Sequence, residues 1–172
     1  MKKILIIIAQ NGFQEHEYEN TKINIEKNNI KVITASPENG IAIGKYKTQI
    51  KPDISIKQAN QEEYDAIIII GGPGATLLIN NNELLILLKQ FQDNNKLIAA
   101  ICIAPTILAK SGILLGKKAT VWNEDNMQSA ILEQQGGIYV KEHIVIDGNI
   151  ITADGPDAAV DFGKAISNYL KK

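Results

Sequence analysis

The stretch LIAAICIAPTILA, residues 97–109, contains the single cysteine of the chain, Cys102. The cysteine follows an apolar run of strand length and precedes a helix start marked by Pro105. Backbone N–H groups at such a junction favour a thiolate and would lower the pKa of the thiol. Ala100 and Ala104 are small enough to permit a sharp strand-to-helix turn, as in a nucleophile elbow. The pattern therefore indicates a reactive thiol, although an inert buried cysteine also fits this position.

A glycine-rich loop follows another apolar run, in IIIIGGPGA at residues 67–75. Glycines at the end of a strand allow the backbone to approach a ligand closely. The N–H groups of Gly72 and Ile103 could together form an oxyanion hole beside Cys102. An ordinary glycine-rich turn explains the loop equally well, and its spacing fits neither a Walker loop nor a dinucleotide fingerprint.

The third chemically notable stretch is NGFQEHEYEN, residues 11–20, which supplies Glu15, His16, Glu17 and Glu19. Acidic residues are favoured in the first turn of a helix by the helix dipole. Helix-start chemistry therefore suffices for most of this cluster.

Continuous apolar runs and helical segments alternate along the chain, which predicts buried parallel strands joined by helical crossovers. The predicted strands are Ile4–Ala9, Ile30–Ala35, Ala66–Ile70, Leu97–Ile101 and residues 116–122, with short strands over 137–153 that turn at Asp147-Gly148. The predicted helices are Glu15–Asn28, Asn82–Asp93, a segment from Cys102 to about Lys110, Glu124–Gln135, and a final helix from about Pro156 to the Lys171-Lys172 tail. Residues 40–56 are interpreted as a small β-hairpin inserted between sheet strands.

The composition of the chain excludes several classes of protein. The 172 residues suit one domain, residues 1–172, and the net charge of -1 with no arginine gives no reason to expect a nucleic-acid or membrane partner. One cysteine cannot form an internal disulfide, which favours a cytoplasmic protein. The start MKKILIIIAQNG is interpreted as a buried strand because its apolar part is short and no cleavage site follows.

Taken together, the three loops resemble the ThiJ/PfpI superfamily, which has the class I glutamine amidotransferase-like fold. The branch of the parkinsonism-associated deglycase looks most similar. The resemblance covers nearly the whole chain and is carried by ILIIIAQNGFQEHE, YDAIIIIGGPGA, LIAAICIAPTILAKSGILLGKKAT and ITADGPDAAVDFGKAI. It implies an α/β fold, a flavodoxin-like three-layer sandwich with a mainly parallel central sheet.

The resemblance also implies a site. Cys102 matches the elbow nucleophile, Glu17 the glutamate that hydrogen-bonds it, and Gly72 and Ile103 the backbone donors that face the thiol. The pocket candidates are Gly71, Trp122 and Asn123. Because two adjacent anions repel, Glu17 and Cys102 are expected to share one proton, with Glu17 protonated while Cys102 is anionic.

Two departures from the family pattern concern histidine. The peptidase-like branch has His directly after the cysteine, where this chain has Ile103, and the deglycase-like branch has His where this chain has Trp122. The remaining histidines, His16 and His143, are expected on the surface. Ile103 therefore argues against Cys–His proteolysis.

The leading functional expectation is a cysteine-dependent glyoxalase or deglycase that acts on small reactive carbonyls and needs no metal or nucleotide cofactor. A non-enzymatic alternative is an oxidative-stress thiol that peroxide converts to sulfinate beside Glu17. A weaker alternative is a PfpI-type intracellular cysteine peptidase. A nucleotide-binding flavodoxin-like module is disfavoured because the chain lacks the phosphate-binding loop that such a module needs. The resemblance also implies a homodimer built around residues 15–28, with Glu15, His16 or Tyr18 at or near the interface.

Overall fold

A central seven-stranded sheet organises the protein in a computed structural model that describes all residues, Met1–Lys172. Its strands lie in the order β11-β12-β8-β7-β1-β3-β6, and all neighbours are parallel except β11, which runs antiparallel to β12. The strands are β1 Lys3–Ile7, β2 Asn11–Phe13, β3 Lys31–Ser36, β4 Ala42–Gly44, β5 Gln49–Ile50, β6 Ile54–Ser55, β7 Ala66–Ile69, β8 Leu97–Ile101, β9 Lys118–Ala119, β10 Ile138–Tyr139, β11 Ile144–Asp147 and β12 Ile150–Ala153. This architecture confirms the predicted α/β class with a mainly parallel sheet.

Five α-helices accompany the sheet: α1 Glu15–Glu26, α2 Asn82–Asp93, α3 Pro105–Lys110, α4 Gln128–Gln134 and α5 Ala159–Leu170. Helices α1 and α5 pack against each other, while α2 packs on β7 and β8. The central strands β7 and β8 are buried along their whole length, which explains their continuous Ile- and Ala-rich sequences. The apolar side chains form one continuous cluster of 47 buried residues.

The segments that follow β7 and β8 were only partly predicted. Residues Pro73–Asn80 form 3₁₀ turns before α2, and α3 begins at Pro105 rather than directly after Cys102. The predicted strand over 116–122 is reduced to the two residues of β9, and α4 begins at Gln128 rather than Glu124. The final helix is preceded by a 3₁₀ turn at Pro156–Ala158.

The predicted hairpin over residues 40–56 is present, but it is shorter than expected. Strands β4 and β5 pair antiparallel, and β2 pairs with β4 to make a separate three-stranded sheet. Residues Ile54–Ser55 belong instead to the edge of the central sheet, where they pair with β3. Strand β2 was not predicted, because its three residues NGF carry no strand pattern by themselves. The small sheet attaches the hairpin to the segment that leads into α1.

Candidate functional site

Cys102 lies at a sharp turn directly after β8. Its φ of 63° is in the left-handed region, which side chains other than glycine rarely adopt. The turn is held from both sides, because the Cys102 N–H donates to the Ala153 carbonyl at 2.9 Å and the Trp122 N–H donates to the Cys102 carbonyl at 2.9 Å. Such a conformation costs about 1–3 kcal/mol and persists only where neighbouring contacts fix it. The backbone therefore has the strained geometry of a nucleophile elbow.

Glu17 reaches the same place from the first turn of α1. The side chain of Gln14 caps this helix by accepting from His16 N–H, and the Gln14 N–H donates to the Gly71 carbonyl at 3.0 Å. The Glu17 side chain is fully buried, and its Oε2 accepts from the Gly71 N–H at 2.9 Å. Its Oε1 has no hydrogen-bond partner, and the Cys102 thiol lies next to the carboxyl group.

Burial is the main influence on the acidity of both side chains. It raises the pKa of Glu17 to about 7, against smaller opposing effects of the Cys102 thiol, the Gly71 N–H and the charge of Lys45. Burial also raises the pKa of the Cys102 thiol, and the neighbouring Glu17 carboxylate raises it further. The N–H groups of Gly72 and Ile103 face the sulfur and lower the thiol pKa, but by less. Glu17 therefore ionises before the thiol, and this order is the reverse of the expected one, in which Glu17 is protonated and Cys102 anionic.

Burial therefore shifts the pKa of the Cys102 thiol in the direction opposite to the expected lowering. Helix α3 has only six residues and begins three positions after Cys102. Its dipole is therefore weak, and its first turn does not start at the thiol. Removal of the sulfur from water outweighs the two N–H donors. A buried carboxyl with a pKa near neutrality is instead the group that titrates in the physiological range.

A pocket of about 540 Å³ opens onto Cys102. Its size falls within the range of small-molecule sites. The lining residues are Gln14, Lys45, Gly72, Pro73, Thr76, Cys102, Ile103, Trp122, Glu124 and Pro156. Of the predicted site residues, Cys102, Gly72, Ile103 and Trp122 line this pocket, whereas Glu17 lies behind the sulfur.

Two predicted pocket residues lie outside the lining. Asn123 accepts from Ser129 N–H at 2.9 Å and donates to Ser129 Oγ at 3.0 Å, so its side chain holds the start of α4. Gly71 lies between the Cys102 and Glu17 side chains: a Cβ placed there would come within 2.6 Å of Cys102 Cβ and 2.7 Å of Glu17 Oε2. Its role is to let the pair approach.

No histidine lines the pocket. His16 is exposed and lies against Tyr46, with ring centroids 5.7 Å apart. His143 is exposed as well, and its Nδ1 is 2.9 Å from Oδ2 of Asp154. Both histidines are therefore at the surface, as predicted, and Glu17 is the titratable group beside the thiol.

Lys45 is the main lining residue that sequence reasoning missed. It lies between β4 and β5 and reaches the pocket because the Lys45 N–H donates to the Phe13 carbonyl at 2.8 Å, which joins the hairpin to the segment before α1. The only sequence signal was a lysine-rich turn in an inserted hairpin. Periodicity cannot show where such a hairpin docks.

No group of three or more His, Cys, Asp or Glu side chains is arranged to hold a metal ion. Nor does any helix have both the length and the apolar character needed to cross a membrane.

Comparison with known proteins gives consistent matches over the whole chain. The sequence pattern of the DJ-1/PfpI family matches residues 2–169. An uncharacterized protein of Methanocaldococcus jannaschii is 37% identical over 99% of this chain and 83% of its own length. Drosophila melanogaster DJ-1beta is 32% identical over 99% of this chain and 90% of its own.

Solved structures agree with the sequence matches. A ThiJ/PfpI domain protein from Brachyspira murdochii superposes with a TM-score of 0.92 at 29% identity, covering 98% of this chain and 96% of that one. The crystal structure of Drosophila DJ-1beta gives a TM-score of 0.90 at 31% identity, covering 98% and 90%.

Proposed function

Because the chain belongs to the DJ-1/PfpI family, we propose that it is a cysteine-dependent glyoxalase or deglycase for small reactive carbonyls. Cys102 is the nucleophile and Glu17 the acid–base residue. The observation that carries the proposal is the fully buried Glu17 carboxyl, with a pKa of about 7, beside a cysteine on a strained elbow. A general base is most effective when its pKa lies near the working pH.

The chemistry uses the carboxylate and the thiol together. As Cys102 sulfur bonds to the aldehyde carbon of methylglyoxal, Glu17 takes the thiol proton and passes it to the carbonyl oxygen, which gives a hemithioacetal and leaves Glu17 ionised again. Glu17 then moves the hydrogen of that carbon to the neighbouring carbon through an enediol, which leaves a lactoyl thioester. Water hydrolyses the thioester to lactate and restores the thiol. The N–H groups of Gly72 and Ile103 are placed to stabilise negative charge next to the sulfur.

Methylglyoxal consumption with formation of lactate tests this proposal. We expect both to disappear in Cys102→Ser and to fall at least about a hundredfold in Glu17→Gln, which keeps the shape but not the base. Lys110→Gln is a suitable control because Lys110 is exposed at the end of α3, away from the pocket. Equal activity in wild type and Cys102→Ser would contradict an enzyme that uses this site.

A second candidate function is that of a peroxide-responsive thiol. It is favoured by the unpartnered Oε1 of Glu17 and by the two N–H groups that face the sulfur, because a protonated carboxyl and backbone donors can bind sulfinate oxygens. With no second cysteine, a sulfenic acid has no internal thiol to resolve it. Above pH 7, where Glu17 can take the thiol proton, dilute peroxide should then add two oxygens to Cys102 before it oxidises Met1 or Met127, as intact and peptide mass spectra would show. Oxidation of the methionines first would contradict this function.

We further propose a cytoplasmic homodimer assembled around α1. The exposed His16 and Tyr46 rings and the half-exposed Ile23 form a mixed aromatic and apolar surface there. Light scattering at micromolar concentration should give twice the mass of the 18.8 kDa chain. A monomeric mass would contradict the dimer.

A further inference from the structure

The hairpin formed by β4 and β5 brings a lysine into a pocket whose other lining residues belong to the segments that follow β2, β7, β8, β9 and β12. Its turn is closed by the Gly44 N–H, which donates to the Thr48 carbonyl at 2.8 Å. The adjacent Lys45 N–H donates to the Phe13 carbonyl, so the lysine backbone is tied to the segment that precedes α1. The position of Lys45 relative to Cys102 is therefore set by regular backbone hydrogen bonds.

A buried carboxylate strengthens this attachment. Glu15 is only 3% exposed, and its Oε1 accepts from Tyr46 N–H at 2.7 Å and from Thr48 N–H at 3.3 Å. These two donors lie on either side of the hairpin tip. Glu15 has no ion-pair partner, so its interactions are directed to the hairpin backbone. The tip is consequently held in one position at the mouth of the pocket.

The ammonium group of Lys45 forms no ion pair with the protein. Its protein contact is with the ring of Tyr46, whose centroid is 5.3 Å from Nζ. Lys45 is also the only cationic side chain among the pocket residues, its charge acts on Glu17, and it forms no ion pair with Glu124, the one carboxylate in the lining. An unpaired cation in the pocket of a nucleophile can bind an anionic substituent on the molecule that the nucleophile attacks.

Gln14 supplies a second donor to the same pocket. The His16 N–H donates to Oε1 of Gln14. This bond fixes the orientation of the Gln14 amide, so the other amide atom is the donor Nε2. That Nε2 donates to no protein group, while the residue lines the pocket. A carboxylate has two oxygens and can accept from an ammonium and an amide together.

We propose that Lys45, assisted by Gln14, is a specificity-determining residue that makes the Cys102 pocket select electrophiles carrying a carboxylate. The preferred substrates are then carbonyl compounds that also carry an anionic group. This inference rests on the proposed function only in requiring that Cys102 reacts with small electrophiles.

Iodoacetate and iodoacetamide provide the test, because they differ in the carboxylate alone. In both reactions sulfur bonds to the methylene carbon, iodide leaves and the thiol proton is lost to Glu17 or water. The ratio of the two alkylation rates therefore cancels the nucleophilicity of Cys102 and reports the preference for the anion. We expect the ratio to be higher in the protein than for free cysteine, and to fall about fivefold in Lys45→Gln.

Lys47→Gln is the matched control, since it removes the same charge from the same hairpin at a residue that does not line the pocket. It should leave the ratio unchanged. Glyoxylate should also protect wild-type Cys102 from iodoacetamide better than glyoxal does, and Lys45→Gln should abolish that difference. Both effects are read without turnover of any substrate.

An unchanged ratio in Lys45→Gln would overturn the inference, and methylglyoxal consumption in the same preparation would show that the proposed function still stands. A Lys45-dependent ratio without methylglyoxal consumption would instead support the inference and remove the proposed enzyme activity. If neither reagent alkylates Cys102, both fall, because the thiol then does not react with small electrophiles.

Discussion

The backbone N–H of Gly71 donates to Oε2 of Glu17 at 2.9 Å, across the space that a side chain at position 71 would occupy. This contact orients the carboxyl toward the elbow of β8. It also makes glycine necessary, because a Cβ would lie 2.6 Å from Cys102 Cβ and 2.9 Å from the Ile101 carbonyl oxygen, both of which are fixed by the elbow backbone.

Gly71→Ala should therefore damage the site more than its size suggests. The displaced elbow should reduce methylglyoxal turnover more than tenfold, and overpacking should lower the free energy of unfolding by about 1–3 kcal/mol. Gly40→Ala is the control, because a Cβ there meets only Gln10 Nε2, at an ordinary 3.7 Å. Equal turnover in the two variants would show that the close approach of Glu17 and Cys102 is unnecessary.

The thiol of Cys102 should not ionise at neutral pH, since burial and the Glu17 carboxylate both raise its pKa. Thiolate ultraviolet absorbance, measured as the difference between wild type and Cys102→Ser, should have a midpoint above the free value of about 8.5. The alkylation rate should nevertheless rise as pH passes through about 7, where Glu17 becomes available as a base. A thiolate midpoint below that of free cysteine would contradict this order of ionisation.

Stability should decrease as pH rises, in a window set by Glu17. Its pKa is raised from 4.5 in the unfolded chain to about 7 in the folded protein, so between these values the folded protein holds a proton that the unfolded chain has released. Folding is then progressively disfavoured from about pH 4.5 to about pH 7, by about 3 kcal/mol in all, with no further effect of this group above pH 7. Urea unfolding at pH 5 and pH 8 should show a larger loss for wild type than for Glu17→Gln. The same loss in both proteins would assign the pH dependence to other groups.

Trp122→His should increase turnover. The Trp122 N–H donates to the Cys102 carbonyl, which fixes the backbone at position 122 next to the elbow. A new side chain at this position therefore points into the same pocket. An imidazole there would share proton transfer with Glu17, and we expect a gain of about tenfold to a hundredfold in methylglyoxal turnover. Trp122→Phe is the control for relief of bulk. A similar change in both variants would show that the site does not lack a base.

The sequence alone determined the architecture and singled out Cys102 and Glu17 as the candidate pair. The Ile-rich runs of β1 and β7 could only be stable with both faces covered, and the cysteine after β8 could only lie at the carboxyl edge of the sheet. Glu17 could be selected from its acidic cluster because the family motif covers that loop. These are local properties of chain segments or direct matches to a pattern.

The tertiary structure alone decided the electrostatics of the pair and the composition of the pocket. Whether the thiol is more or less acidic depends on how much water reaches it, and burial is the sum of contacts from α1, β7, β8 and the segment around Trp122. Lys45 is distant in sequence from Glu17 and Cys102, and it lines the pocket at Cys102 because Glu15 and Phe13 hold the hairpin in place. Solvent exclusion and long-range docking are properties of the whole fold, and no local pattern of residue types encodes them.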